Sequence, residues 1–472
     1  MSLNAALNSA QLSLTASQKR ISISARNVAG AGDTDYSRKL TPLVTRDSGV
    51  FASGPIRSSD TRLYERYLES TSVAARENVR LTGLTRLSET VGDTADETSL
   101  VGRLGNLTNK LTEYLNAPAD DNLARAAVVA AGDMARALND AAAVVDEVRA
   151  GAVADVKTSV DRINTLLQNF ESANTLIVQG TVLGADITDD LDRRDAIVAQ
   201  LSEEIGISVA TRENNDMVLF TDGGVTLFET SARKVSATTD AGQPVRVFID
   251  GVQVAGDAPQ MESKNGALVG AVALHNKDAA QYGEQLDKLA LGLIQAFREI
   301  DPTDPANTAP GLFVDRSNAT ALPANPADLA KNISVNTAVD PAANPAGTPS
   351  KLRDGIAYDY NTAENAPSYS GQLSRLLDQV GEKNTDLDNK TLLDYASSTV
   401  SWVESSRQSS DAAVKVNDAV LTLVTTSLSN ARGVDLNEET ALQLEIERLF
   451  TASAQLISVV DNLFKTLFDA VR

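Results

Sequence analysis

The chain has 472 residues, of which 42% are hydrophobic but only 4% aromatic, and its formal net charge at pH 7 is −21. This length allows two to four domains with aliphatic cores. The negative charge argues against nucleic acid and anionic membrane surfaces as partners. The absence of cysteine excludes disulfides, thiolate metal sites and a cysteine nucleophile.

The first predicted element is a helix over residues 3–29 whose apolar and small side chains recur every 3.5 residues. The repeat consists of Leu3, Leu7, Ala10, Leu14, Ser17, Ile21, Ser24 and Val28. A stripe of this period is a narrow seam that packs against another helix. The last predicted helix carries a stripe with the same alternation, at Leu442, Ile446, Leu449, Ser453, Leu456, Val460, Leu463 and Leu467. We therefore predict that the two ends of the chain lie side by side and form an assembly interface.

Between these ends the apolar spacing predicts a series of long helices. Residues 36–60 contain two prolines and two glycines and are predicted to be extended and loop-like. The helices that follow are predicted over residues 64–91, 99–115, 122–151, 153–180 and 189–205.

After residue 205 the helical spacing of the apolar residues ends. Short runs rich in β-branched residues alternate there with glycine-containing turns. The dipeptide Asp250-Gly251 predicts a hairpin within a small antiparallel module. Helix returns over 268–300, whereas residues 301–350 hold eight of the fourteen prolines and predict a loop-rich lobe with one strand at 332–335. A long helix over 392–429 precedes the break at 430–435.

These elements predict a mainly α fold with a smaller β part. The terminal helices pair as a coiled coil, a long-helix bundle forms the next layer, and a small antiparallel β module is inserted. The predicted domains are 1–40 with 430–472 (terminal coiled coil), 60–205 with 265–300 and 365–429 (helix bundle), 205–262 (β module) and 301–350 (proline-rich lobe).

Charge is distributed unevenly along the chain. Residues 1–46 carry six basic side chains against two acidic ones, so the N-terminal arm is locally basic. It could pair with acidic residues near the other end, such as Glu438, Glu439, Glu445 and Glu447, or it could be a solvated basic face. The sequence leaves both alternatives open.

No set of residues indicates catalysis, so we expect neither enzymatic activity nor a cofactor. His275 is the only histidine, and a catalytic triad would also need a nucleophile and an orienting acid placed beside it by the fold. Zinc sites of the histidine and cysteine type cannot be built from one histidine and no cysteine. An acidic cluster beside Arg193 and Arg194 lacks the spacing of a calcium loop, and we expect it to make local ion pairs at a helix start. Its members are Asp186, Asp189, Asp190, Asp192 and Asp195. We expect Trp402 to be a packing or interface residue.

Two segments at the ends resemble the bacterial flagellar axial proteins. The opening residues 2–6 and 23–29, with Asn27-Val28-Ala29-Gly30 and then Asp35-Tyr36-Ser37-Arg38, are similar to the family's N-terminal element, with Gly30 and Asp35 as departures. The closing segments 433–439, 452–457 and 461–463 resemble the family's final helix. Within the chain, Asp192-Arg193-Arg194-Asp195 before 201–207 resembles an internal marker of the hook-associated protein 1 family.

The resemblance implies a structural role at the hook–filament junction. It further implies export by the flagellar type III apparatus, which fits the lack of a recognisable cleavable signal, and self-association through the terminal helices. The implied partners are the hook protein, the second hook–filament junction protein, and an export chaperone at the C-terminal helix. The residues that carry the family motifs are Asn27, Tyr36, Arg38, Asp192 and Asp195.

Other interpretations are a flagellin or the second junction protein, against which the Tyr36-Ser37-Arg38 element and the Asp192 segment argue. A helical signalling or adhesin-like protein would need an anchor or signal. No run of about 18 apolar residues is present, so we expect no membrane span.

Overall fold

The computed structural model describes residues 3–46, 49–92, 98–240, 242–362 and 366–471. The fold is mainly helical with small antiparallel sheets, which confirms the predicted fold class. None of the helices in the described part of the chain has the length and apolar character needed to cross a membrane.

The chain begins with helix α1 (Leu3–Gly30) and continues into two short two-stranded antiparallel sheets. Strand β1 (Lys39–Leu40) pairs with β4 (Ile56–Arg57), and β2 (Leu43–Arg46) pairs with β3 (Gly49–Ala52). The prediction of a loop over 36–60 is therefore wrong in part. Its proline and glycine residues mark turns between strands too short to produce a clear alternation.

Helices α2 (Thr61–Ser88), α3 (Leu100–Asn116), α4 (Asp121–Leu183) and α5 (Thr188–Glu204) follow. The side chains of Asp60, Ser99 and Asp120 accept hydrogen bonds from free N–H groups at the starts of α2, α3 and α4. The predicted helices 122–151 and 153–180 are wrong as separate elements, because α4 is one helix of 63 residues. Gly151 lowers helix propensity by only about 1 kcal/mol relative to alanine, which the packed flanking residues outweigh.

The predicted β module consists of two three-stranded antiparallel sheets. The first contains β5 (Ile207–Thr211), β6 (Met217–Thr221) and β7 (Thr226–Phe228), and the second β8 (Val235–Thr238), β9 (Arg246–Ile249) and β10 (Val252–Ala255). Asp250 and Gly251 form the turn between β9 and β10 with φ of 46° and 84°, as a tight hairpin requires.

The helix predicted over 268–300 is interrupted. It comprises α6 (Ala267–Ala273), a π-helical turn (Leu274–Asp278) and α7 (Ala279–Ala296), and the chain then enters strand β11 (Glu299–Ile300). The next short elements are β12 (Thr308–Ala309), β13 (Phe313–Asp315), α8 (Leu329–Asn332), β14 (Ile333–Val335) and α9 (Lys351–Asp354).

Residues 301–350 pack onto the helices instead of standing apart from them. Strand β14, near the predicted strand 332–335, pairs with β13. Phe313 and Ile333 are fully buried in the helical core. Three helices complete the chain: α10 (Gly371–Gly381), α11 (Leu392–Arg432) and α12 (Leu436–Val471).

Two hydrophobic cores hold the body together. One is built around α3, the first half of α4, α7 and the start of α11. The other joins the second half of α4 with α5, α6 and both three-stranded sheets. Among the described residues, neither core includes a side chain of α1 or α12. The terminal helices therefore pack outside the body's cores.

This arrangement predicts the effect of trimming the chain. Removal of residues 1–30 and 440–472 is expected to shift the melting temperature of the remaining body by no more than a few degrees, because both cores stay intact. Calorimetry of the trimmed and full chains measures the shift. A large fall in melting temperature would mean that the terminal pair belongs to the main cooperative unit.

Candidate assembly surface

Helices α1 and α12 pack against each other along their length in antiparallel orientation. The Ser13 hydroxyl lies 3.0 Å from that of Ser453, and the Ser24 hydroxyl donates to Glu439 at 2.7 Å. The residue numbers fall on one helix as they rise on the other, which fixes the antiparallel direction. The prediction that the two ends lie side by side is confirmed by this packing.

The face of α1 toward α12 consists of small side chains. Ala10, Ser17 and Ser24 are buried at intervals of seven residues, and Asn27 is buried beside them. Small residues at every second turn allow close approach of two helices, so the larger side chains of α12 can pack between them.

The buried residues on the face of α12 that packs against α1 also recur every seven positions. They are Glu439, Ile446, Ser453 and Val460. Side chains at the intermediate steps of three and four are half-buried: Gln443, Phe450, Ile457 and Phe464. The alternation of four and three residues is the seam of a coiled coil.

The seam includes only some of the positions that the sequence analysis assigned to it. On α12, Ile446 and Val460 are buried and Leu442 is half-buried. Four leucines of the predicted stripe are solvent-exposed in the single chain: Leu449, Leu456, Leu463 and Leu467. On α1, Val28 is exposed and four residues are half-buried: Leu3, Leu7, Leu14 and Ile21.

The difference has a simple physical reason. Two 3.5-residue repeats overlap on α12 and share Ile446, Ser453 and Val460. One continues through Phe450 and Ile457 and the other through Leu449 and Leu456. Because both are apolar, periodicity alone could not show which of them faces α1.

The second repeat leaves an apolar surface that none of the residues described by the structure covers. We call it the open flank of α12. Leu456 is 56% exposed and Val459 is 54% exposed, which is high for side chains of this size. The members of the open flank are Leu449, Leu456, Val459, Leu463 and Leu467.

A network of polar side chains anchors the terminal pair to the body. We call it the junction network. It brings together the five residues identified from the family motifs, which come from two separate parts of the chain, and a residue from the start of α12. Its members are Asn27, Tyr36, Arg38, Lys39, Arg57, Asp189, Asp192, Asp195 and Glu439.

Asn27 is the centre of the N-terminal half of the network. Its amide donates to the Lys39 carbonyl at 2.9 Å and to Glu439 at 3.1 Å. Its oxygen accepts from the Tyr36 hydroxyl at 2.9 Å and from the Lys39 N–H at 2.8 Å. A Cβ at Gly30 would lie 2.6 Å from the Tyr36 ring, so this approach of the ring to α1 requires glycine.

Arg38 joins the N-terminal segment to the start of α12. Its guanidinium pairs with Glu439 at 2.7 Å and with Glu438 at 2.8 Å. Of the two alternatives left open by the sequence, ion pairing applies to these two carboxylates, while Glu445 and Glu447 are exposed. The place of Glu439 in the seam was not predicted from the sequence, although its spacing of seven residues from Ile446 was a usable signal.

Lys39 and Arg57 join the same segment to helix α5. Lys39 is buried, and its ammonium lies 2.5 Å from Asp189, 3.0 Å from Asp192 and 3.7 Å from the centre of the Tyr36 ring. Arg57 pairs with Asp195 at 2.7 Å and with Asp192 at 3.3 Å. Arg57 was not identified from the sequence, because no local pattern links it to residues more than one hundred positions away.

The acidic cluster therefore makes mainly long-range ion pairs, which corrects the expectation of local ones. Arg26 of α1 pairs with Asp186 at 2.7 Å and with Asp189 at 2.6 Å, whereas the local pair of Arg193 with Asp190 spans 3.8 Å. Arg194 turns inward and donates to the Asn174 side chain and the Asn215 carbonyl.

The charges of the network shift the pKa values of its members. Burial raises the pKa of Asp189, but the bonds from Lys39 and Arg26 outweigh it, so the pKa lies below its ordinary value. Burial also raises the pKa of Asp186, but the hydrogen bonds donated by Arg26 and Thr188 outweigh it, so this pKa is lowered as well. Burial lowers the pKa of Lys39, but the bonds to Asp189 and Asp192 raise it above the ordinary value.

These shifts predict a pH range for the junction network. Asp186 and Asp189 contribute stability above their unfolded pKa of 3.8, and this is lost as pH falls through their lower folded values. Lys39 contributes below its unfolded pKa of 10.5, and this is lost as pH rises through its higher folded value. We therefore expect the terminal pair to detach only below pH 3.8 or above pH 10.5.

Energy transfer between dyes on Lys19→Cys and Ser236→Cys in one chain measures this detachment, because the chain has no other cysteine. Far-UV circular dichroism controls for unfolding of the body. A loss of transfer near neutral pH would contradict the assigned ion pairs.

His275 and Trp402 lie in the helical body, away from the junction network. His275 is buried in the π-helical turn, where its Nδ1 lies 2.8 Å from the Asn276 side-chain oxygen, and burial lowers its pKa. Trp402 is half-buried against the helical core. Among the residues that the structure describes, no group of three or more histidine or carboxylate side chains could hold a metal ion.

Comparison with known proteins gives results consistent with the sequence motifs. Residues 84–304 match the family model of the flagellar hook-associated protein FlgK helical domain. The flagellar hook-associated protein 1 of Bacillus subtilis (strain 168) is 21% identical over 516 residues, which is 98% of this chain and 98% of that protein. The protein of the same name from Escherichia coli (strain K12) is 22% identical over 313 residues, 62% of this chain and 56% of its own length.

A solved structure is also similar in part. It is that of the flagellar hook junction protein FlgK from Burkholderia pseudomallei, which is 18% identical with a TM-score of 0.45. The match covers 53% of this chain and 46% of that one. The sequence relatives and the family model confirm the resemblance to hook-associated protein 1 that the motifs predicted.

Proposed function

We propose that this chain, a hook-associated protein of the FlgK type, is a structural junction protein that links hook to filament in the bacterial flagellum. In this proposal it polymerises through its terminal helices and has no enzymatic activity. The open flank of α12 is the observation that carries the proposal, because it is a coiled-coil seam without a partner among the residues that the structure describes.

The physical basis is apolar burial on assembly. Transfer of a large aliphatic side chain out of water contributes about 1.5–3 kcal/mol when burial is complete. The side chains of the open flank are about half exposed and recur along several turns of one helix. Covering the row in a polymer is therefore favourable by several kcal/mol per subunit, less the cost of association.

The implied route out of the cell is the flagellar type III apparatus, without a cleaved signal peptide. An exposed apolar row on a free subunit favours aggregation. We infer that an export chaperone covers the C-terminal helix before export, since the open flank lies there. After export, the expected neighbours are the hook protein on one side and the second hook–filament junction protein on the other.

Electron microscopy of cells that lack the gene for this chain tests the proposed role. Cells are expected to carry hooks without filaments, and a plasmid copy of the chain is expected to restore the filaments. Normal filaments in the deletion strain would overturn the proposal.

A further inference from the structure

Helix α11 packs on α2 through a seam of its own. The Ser410 hydroxyl lies 3.5 Å from the Glu77 carbonyl, and the Ser58 hydroxyl donates to the Ala431 carbonyl at 2.8 Å, so the helices are antiparallel. The buried positions between residues 403 and 428 of α11 are separated by seven, four, ten and four residues. They are Val403, Ser410, Val414, Val424 and Leu428.

The C-terminal half of α11 carries a second apolar stripe beside this seam. Val416 is 62% exposed, Val420 is 36% exposed and Leu423 is 68% exposed. They follow the half-buried Ala413 with steps of three, four and three. A helix with two adjacent 3.5-residue stripes is suited to contact two helices, and the described part of this chain supplies only one of them.

The composition around this stripe is that of an interface. Residues 412–431 contain only two charged side chains, Lys415 and Asp418, whereas 22% of the whole chain is charged. An exposed helix face is ordinarily rich in lysine and glutamate. Depletion of charge around exposed apolar residues is typical of the centre of a protein–protein contact.

We propose that the second stripe of α11, formed by Ala413, Val416, Val420 and Leu423, binds a second copy of this chain. With a net charge of −21, two copies repel each other over most of their surfaces. They can approach closely where the surface is neutral and apolar, as it is here. The inference rests on the proposed function and adds a lateral contact through α11 to the contact through α12.

A photoreactive benzophenone side chain placed at Val420 of the full-length chain tests the partner directly. After irradiation of cells with assembled flagella, we expect an adduct of twice the chain's mass whose cross-linked peptides both come from this chain. The same side chain at Thr425, which lies on the opposite exposed face of α11, is the matched control. An adduct with a different protein, or none, overturns the proposal.

A pair of charge variants gives an independent measurement. Val420→Glu with Leu423→Glu is expected to lower incorporation at the hook tip at least tenfold without changing the melting temperature, because both side chains are exposed. The control, Thr422→Glu with Thr425→Glu, adds the same charge at the same spacing and should assemble normally.

The two proposals fail in different ways. If substitutions on α12 stop assembly while the α11 variants assemble normally and give no self-adduct, the α11 contact is wrong and the proposed function stands. If a deletion strain has normal filaments, the proposed function is wrong as well.

Discussion

Glutamate at both Leu449 and Leu456 is expected to abolish incorporation of the chain at the hook tip while leaving the free subunit folded. Leu449 is 43% exposed and Leu456 is 56% exposed, and neither belongs to a core of the body. In the free subunit the new carboxylates remain in water. In a polymer they would be buried without a partner, which costs several kcal/mol for each charge.

Since 1.4 kcal/mol corresponds to a factor of ten in an equilibrium constant, the affinity for the growing end should fall more than a hundredfold. Immunogold labelling of hook tips, with a count of filaments per cell, measures the loss. Circular dichroism of the purified variant should give the melting curve of the unmodified chain.

The matched control for this variant is Thr451→Glu with Ser458→Glu. These residues are also seven positions apart and exposed on α12, but they lie on the side away from both apolar repeats. The control adds the same charge and should assemble. Equal loss of filaments in both variants would mean that negative charge anywhere on α12 is harmful, and the open flank would lose its special role.

Methionine at Lys39 is expected to release the terminal pair from the body. Lys39 is buried, and its charge compensates Asp189 and Asp192, so the substitution leaves carboxylates of the junction network without this partner. Removal of one member of a buried ion pair costs about 3–5 kcal/mol. Arg57 still pairs with Asp192, which favours the lower end of this range.

Hydrogen exchange followed by mass spectrometry measures the release. Amides of the segment 36–58 should exchange at least a hundredfold faster in Lys39→Met, whereas those of α4 should be unchanged. Lys19→Met removes an exposed lysine from α1 and is the control. Unchanged protection of 36–58 in Lys39→Met would show that the network does not hold the terminal pair.

Much of the fold could be predicted from sequence because its helices are long and strongly periodic. The matching stripes identified α1 and α12 as partners, and the Asp250-Gly251 turn identified a hairpin. The sequence predicted two helices that meet near Gly151, but a single glycine does not end a helix when the residues before and after it are held in hydrophobic cores of the body. The short strands in 36–60 were missed because two to four residues carry too little alternation.

The open flank could be predicted only in part. The periodicity of the sequence indicated that Leu449 and Leu456 belong to a seam. It also led to the prediction that this seam contacts α1, whereas both leucines are exposed. The choice between the two repeats depends on how the small face of α1 meets Phe450 and Ile457, which is a tertiary property. The individual ion pairs of the junction network could not be predicted from the sequence either, since they join residues up to about four hundred positions apart.

Thiol reactivity at position 456 tests the central claim most directly. The chain contains no cysteine, so Leu456→Cys introduces a single reactive group, and Ser236→Cys on strand β8 provides an exposed control. In the free subunit both should react quickly with a maleimide. In isolated hook–filament junctions, Leu456→Cys should react at least tenfold more slowly while Ser236→Cys keeps its rate. Equal reactivity of Leu456→Cys in the free and assembled states would contradict burial of the open flank in the polymer.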